Sequence, residues 1–159
     1  MKLKSFILTL YLTIIFFAQS CTEKSDPMYD YQATWKCHFE KDWTYESTRS
    51  KIIGHWEWKY IKCCGETINP YQNSTESEGL IIEFNSDGTG KLLDRDTNDE
   101  FTWDIRLVDN ELYGFEIIPQ IPQLYGRLLL CDNLMISNHS YIDGADNYFI
   151  KIEMQNNLR

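Results

Sequence analysis

From Ile53 onward, hydrophobic and polar residues alternate with a period of two, the pattern of strands that bury one face. Trp56, Trp58 and Tyr60 alternate with Glu57, Lys59 and Ile61. Leu80, Ile82 and Phe84 follow, and Thr89 to Leu93 returns beyond Asn85-Ser86-Asp87-Gly88, a turn whose Asp and Gly suit a tight hairpin. Phe101, Trp103, Ile105 and Leu107 alternate with Thr102, Asp104 and Arg106, the clearest amphipathic strand in the chain. Further strands are read over Leu112 to Ile118, Tyr125 to Leu130, Leu134 to Ser137 and Asn147 to Glu153. Asp109-Asn110, Asp132-Asn133 and Tyr141-Ile142-Asp143-Gly144 supply turns, and Glu66 to Glu78 and Asp94 to Glu100 read as polar connections. Pro119 and Pro122 break the link before Tyr125, because neither can donate to a ladder. About eight short strands joined by hairpins predict an all-β antiparallel barrel or sandwich. A meander of that size closes by pairing its first and last members.

The segment ahead of the strands has a different character. Trp35, Phe39 and Trp43 recur at a spacing of four, one face of a helix. Thr, Asp and Ser interrupt the pattern, so residues 29–48 read as an extension with one short helix against the barrel, or as an aromatic partner-binding arm. Residues 1–20 pair Lys2 and Lys4 with an apolar run from Phe6 to Ala18, within signal-peptide length and short for a membrane span. Ala18-Gln19-Ser20-Cys21 resembles the lipobox of bacterial lipoproteins, with Ala18 where that family prefers Leu. The resemblance implies cleavage before Cys21 and lipid on Cys21, followed by a polar tether. The domains are therefore a leader over 1–20, a tether and aromatic extension over 21–50, and a barrel over 51–155. The expected location is the bacterial cell envelope, as an outer membrane lipoprotein facing the periplasm or the exterior.

Charge narrows the partners. Without the first twenty residues the chain carries 13 basic against 24 acidic side chains, a net charge of -11. Such a surface repels phosphate backbones, which argues against nucleic acid.

Three pieces in order suggest a family. Gly54-His55-Trp56 opens the first strand, Glu83-Phe84-Asn85-Ser86-Asp87-Gly88-Thr89 forms a hairpin, and the tail runs from Asp132-Asn133-Leu134-Met135-Ile136 to Tyr141-Ile142-Asp143-Gly144-Ala145-Asp146-Asn147-Tyr148-Phe149. Over roughly 51–153 the chain resembles the lipocalin-like domains of Bacteroidetes lipoproteins. The resemblance implies a small up-and-down barrel whose mouth takes an apolar molecule, with Trp56 closing one end. It implies no reaction.

Candidate chemistry is sparse. Beyond Cys21 the cysteines are Cys37, Cys63, Cys64 and Cys131, an even number, which favours disulfides in an exported protein. Adjacent cysteines seldom pair with each other, so Cys37 and Cys131 are expected to take one each of Cys63 and Cys64. Free buried thiols and a metal site that brings Cys37-His38 to Cys63-Cys64 are the alternatives. The latter lacks the C-x₂-C spacing that zinc favours, and no metal or other cofactor is expected. His38, His55 and His139 are scattered, and no Gly-x-Ser-x-Gly, H-E-x-x-H or phosphate loop is present, so no enzyme is expected. The remaining candidates are Trp56, Trp58, Phe84, Trp103, Phe115 and Tyr148, placed on one face by alternation. These either line a pocket for an apolar ligand or fill the core. The leading expectation is a lipid-tethered, non-enzymatic binder of a small hydrophobic molecule. The alternative is an interaction or scaffolding lipoprotein with a filled barrel that docks another envelope protein.

Overall fold

The computed structural model describes residues 30–63, 79–93, 98–109 and 111–153, together with the backbone of 66–68. The leader 1–20, Cys21 and Cys64 lie outside the described residues.

Among the described residues, nine antiparallel strands form one sheet: β1 (Gly54–Cys63), β2 (Glu66–Ile68), β3 (Ile81–Phe84), β4 (Thr89–Leu93), β5 (Asn98–Leu107), β6 (Tyr113–Ile118), β7 (Arg127–Cys131), β8 (Leu134–Asn138) and β9 (Asp146–Ile152). Eight follow the order β6-β5-β4-β3-β1-β9-β8-β7, and β2 pairs with the end of β1. First and last strands pair as expected, His55 to Lys62 against Asp146 to Ile152, and the meander curls into a nearly closed barrel. The sheet order leaves the seam between β6 and β7, where Pro119, Pro122 and a 3-10 turn over Pro122–Leu124 interrupt the chain. There the two backbones almost touch, since a Cβ on Gly114 would sit 2.7 Å from the Gly126 carbonyl oxygen.

Among the described residues two short helices precede the sheet, where one was expected. Helix α1 (Tyr31–Phe39) starts at Asp30, whose Oδ1 accepts from the N–H of Gln32 at 2.9 Å, and carries Lys36 and His38 in its last turn, where the helix dipole favours positive charge. Helix α2 (Tyr45–Ile52) starts with a capping box between Thr44 and Ser47. The boundary read at residue 51 falls inside α2, and Ile52 is wholly buried in the barrel core. Two polar connections also change. Residues 66–68 form β2, and β5 begins at Asn98, although Asn98, Asp99 and Glu100 are all exposed. Their ladder with β4 continues beyond the point where burial ends. Periodicity cannot register a strand with two wet faces.

The core has two layers. Inside the barrel lie Trp56, Ile82, Phe84, Phe101, Trp103, Ile105, Leu128, Leu130, Met135 and Phe149. Outside β7–β9, Leu129, Leu134, Ile136 and Tyr148 form a second cluster that Tyr31 and Trp35 of α1 cover. These three strands are thus buried on both faces, and they read as near-continuous apolar runs.

Candidate functional site

Helix α2 closes one end of the barrel. The Trp56 indole N–H donates to the Ile52 carbonyl at 2.6 Å, and Lys151 donates to the Lys51 carbonyl at 2.7 Å while lying 5.2 Å from the Trp56 ring centroid. Burial and the neighbouring Lys51 charge lower the Lys151 pKa. Arg49 stacks 4.7 Å from the Trp103 ring and donates to the Ser86 carbonyl at 2.9 Å. Tyr45 donates to Asp104 at 2.6 Å, a bond that holds the Asp104 carboxyl below its usual value. Trp103 turns its own indole N–H to the carbonyls of Asn85 and Thr89. The hairpin turn and the helix are thereby joined through one tryptophan.

Above this floor the interior is aromatic. Phe84 packs against Trp103 at 5.1 Å between ring centroids, against Phe101 at 5.7 Å, and face to face with Phe115 at 5.1 Å. Trp56, Phe84 and Trp103 are buried, and Phe115 is half-buried at the seam. Trp58, further along β1 from α2, is half-buried, as is Leu92 of β4. Near Trp58 the interior turns polar. Its indole N–H donates to the Asn147 side-chain oxygen at 3.1 Å, and Asn147 is the register partner of Ser137, whose hydroxyl donates to the Tyr125 carbonyl. Five of the six aromatic candidates therefore face one another inside the barrel. The sixth does not: Tyr148 belongs to the outer cluster beneath α1, and its neighbour Phe149 points inward. Both faces of β9 are buried, so alternation alone could not say which residue faced in. Burial raises the Tyr148 pKa, and Asp146 adds to the shift.

The cysteine pairing also differs from expectation. Cys37 of α1 bonds to Cys131 at the end of β7, with 94 residues of separation. Cys63 ends β1. The Cys37–Cys131 bond forms because α1 lies along the outer face of β7, a contact absent from any local pattern. Beside it the Leu130 N–H donates to His38 Nδ1 at 3.0 Å, and the His38 carbonyl accepts from the Trp43 indole at 2.9 Å. Burial lowers the His38 pKa, in keeping with a neutral ring that must offer a lone pair. Trp43 lies beyond the end of α1 and stacks on His38, so it does not share a helical face with Trp35 and Phe39.

Among the described residues, Cys37, Cys131 and Asp132 bring metal-ligand types together, but the two sulfurs are bonded to each other and hold no thiolate. His55 faces Glu83 at 3.6 Å across the β1–β3 ladder. His139 is half-buried between Tyr125 and Tyr141. Sequence reasoning missed the Asn147–Ser137 pair, because a polar residue in a strand reads as outward-facing. The interior presents aromatic surface beside a small polar corner. Comparison with protein-family models, curated proteins and solved structures finds no match to the chain.

Proposed function

We propose that this chain is an envelope lipoprotein, anchored through Cys21, whose lipocalin-like barrel binds a small hydrophobic molecule without catalysing a reaction. One observation carries the reading. Interior side chains pass from complete burial beside α2, at Ile52 and Trp56, to half-burial at Trp58 and Leu92. At the level of Trp58 the interior combines an indole and aliphatic surface with the buried Asn147 side chain, the composition that small-molecule sites favour. An acyl chain or a flat apolar ring suits the aromatic surface, and a polar head suits Asn147.

Titration of the processed chain with fatty acids, sterols and haem, followed by tryptophan emission, tests this reading. Saturable quenching that disappears in Trp58→Phe and persists in Trp43→Phe is expected. No saturable change with any of the three would overturn it. The interlocked Phe84, Phe101, Trp103 and Phe115 favour a second reading, a filled barrel that serves as a scaffold for another envelope protein. A reproducible crosslinked partner from Trp35 or Trp43 in intact cells, with no ligand quenching, would select it.

A further inference from the structure

Among the described residues β6 pairs with β5 alone and β7 with β8 alone, so side chains, and not a ladder, close the barrel between β6 and β7. Gly114 and Gly126 bring the two backbones together at one point. From there β6 runs on to Ile118 while residues 119–125 double back toward Gly126, and both stretches line a cavity of 370 Å³. Its floor belongs to the core. Ile121 and Leu124 are buried members of the inner cluster, and Phe115 and Ile117 pack against that cluster half-buried. Phe115 stacks on Phe84 at 5.1 Å and lies 6.5 Å from Trp103, so the cavity reaches the aromatic interior from the side.

The lips of the cavity are apolar as well: Ile118 is 74% exposed and Tyr125 37%. One polar pair interrupts them. The Tyr125 hydroxyl donates to the Gln120 side-chain oxygen at 2.6 Å, which leaves the Gln120 NH₂ group and the hydroxyl lone pairs to a ligand. The charged residues on the lining, Arg106 and Glu116, pair with each other at 3.4 Å. The site therefore has no net charge, in a chain whose net charge is -9.

We propose that this lateral cavity binds a small uncharged amphipathic molecule, with its apolar body on Phe115, Ile121 and Leu124 and a hydroxyl or carbonyl at Gln120 and Tyr125. The volume lies within the range of about 300–1,000 Å³ that small-molecule sites occupy, and an apolar lining with few convergent polar groups is typical of them. An ionic ligand would meet no unpaired charge there. A partner strand cannot run the length of the seam, because the Gly114–Gly126 contact leaves less than the strand spacing of about 4.8 Å. Trp58 takes no part in the lining, so the site needs neither a ligand at Trp58 nor the anchor at Cys21.

The test titrates the full chain with a bromo-octanol, an uncharged alcohol whose bromine quenches a neighbouring indole. Ile118→Trp and Ser50→Trp serve as reporters, both positions being exposed and the second lying on α2 outside the cavity. Emission added by Ile118→Trp should be quenched saturably and at least twofold more than that added by Ser50→Trp. In the Ile118→Trp chain, Gln120→Ala should weaken binding roughly fivefold, the loss of one hydrogen bond. Equal or unsaturable quenching at the two reporters overturns the site, and an affinity unchanged by Gln120→Ala overturns the amphipathic ligand class. Saturable quenching confined to Trp58 leaves the small-molecule reading standing and overturns the lateral cavity. Dimers crosslinked through residue 118, with equal quenching, assign the cavity to a second copy and also overturn it.

Discussion

The two sides of the barrel solve burial differently. Strands β3–β6 bury one face and leave the other to charge: in β5, Phe101, Trp103 and Ile105 are buried while Thr102, Asp104 and Arg106 are exposed. Strands β7–β9 bury both faces, Leu128 and Leu130 inward and Leu129 outward beneath α1. The first side needs only the barrel to be stable. The second needs a helix from the far end of the chain, and the molecule fastens that helix with a covalent bond, a histidine and an aromatic face. The helical extension is accordingly part of the fold, because without it the outer cluster meets water.

The fastening gives the largest test of this contrast. Cys37→Ala with Cys131→Ala should cost about 2–5 kcal/mol, the range for a disulfide that closes a long loop. Hydrogen exchange should quicken in α1 and β7 more than in β4 and β5; a uniform loss would show that the two sides do not differ in this way. Next in size is Leu129→Ala, expected to cost about 2–5 kcal/mol in denaturant unfolding because its site is closed on every side. Thr102→Ala on the exposed face of β5 should stay within about 0.5 kcal/mol. Similar costs for the two would erase the contrast.

His38 sharpens the comparison through pH. Its folded pKa is lowered, so the unfolded chain takes up the proton first. The stability contributed by the neutral ring is complete above about pH 6.5 and is lost as pH falls through the folded value. Below that value the ring no longer accepts from Leu130. His38→Leu should cost about 1–3 kcal/mol at neutral pH by leaving a buried N–H unpaired, and should remove that step from the stability profile. A profile unchanged by the substitution would assign the acid step to carboxylates. The smallest effect belongs to the one-sided region: Asp104→Asn, with half of the side chain in solvent, should cost about 0.5 kcal/mol or less despite contacts to Tyr45 and Arg49. A larger loss would mean that α2 is held from outside as firmly as α1.

The same contrast explains what was legible in the sequence. Where one face is wet, alternation placed the strands nearly to the residue: Thr89 to Leu93 is β4 as read, and Trp56, Phe84 and Trp103 face inward as read. Where both faces are dry, the run Tyr148-Phe149-Ile150 carries no phase, and Tyr148 was assigned to the wrong side. The helices were half-legible because tertiary contact, and not a continuous apolar stripe, stabilises α1: its buried positions Thr34 and His38 are polar. The disulfide was illegible for the same reason, since the adjacency of Cys63 and Cys64 drew both partners away from the pairing that the packing of α1 creates. The fall from buried Trp56 to half-buried Trp58 along β1 is a matter of depth, which a period of two does not record.

That disulfide also orders events in time. In a chain delivered amino terminus first, Cys37 emerges long before Cys131, and Cys63 and Cys64 pass in between. A thiol that oxidised with the first partner to arrive would lock α1 to the wrong strand. The native bond must wait until β7, within the last third of the chain, has appeared, so maturation depends on reshuffling or on delay. Formation of this bond gains more from thiol–disulfide reshuffling than from fast oxidation.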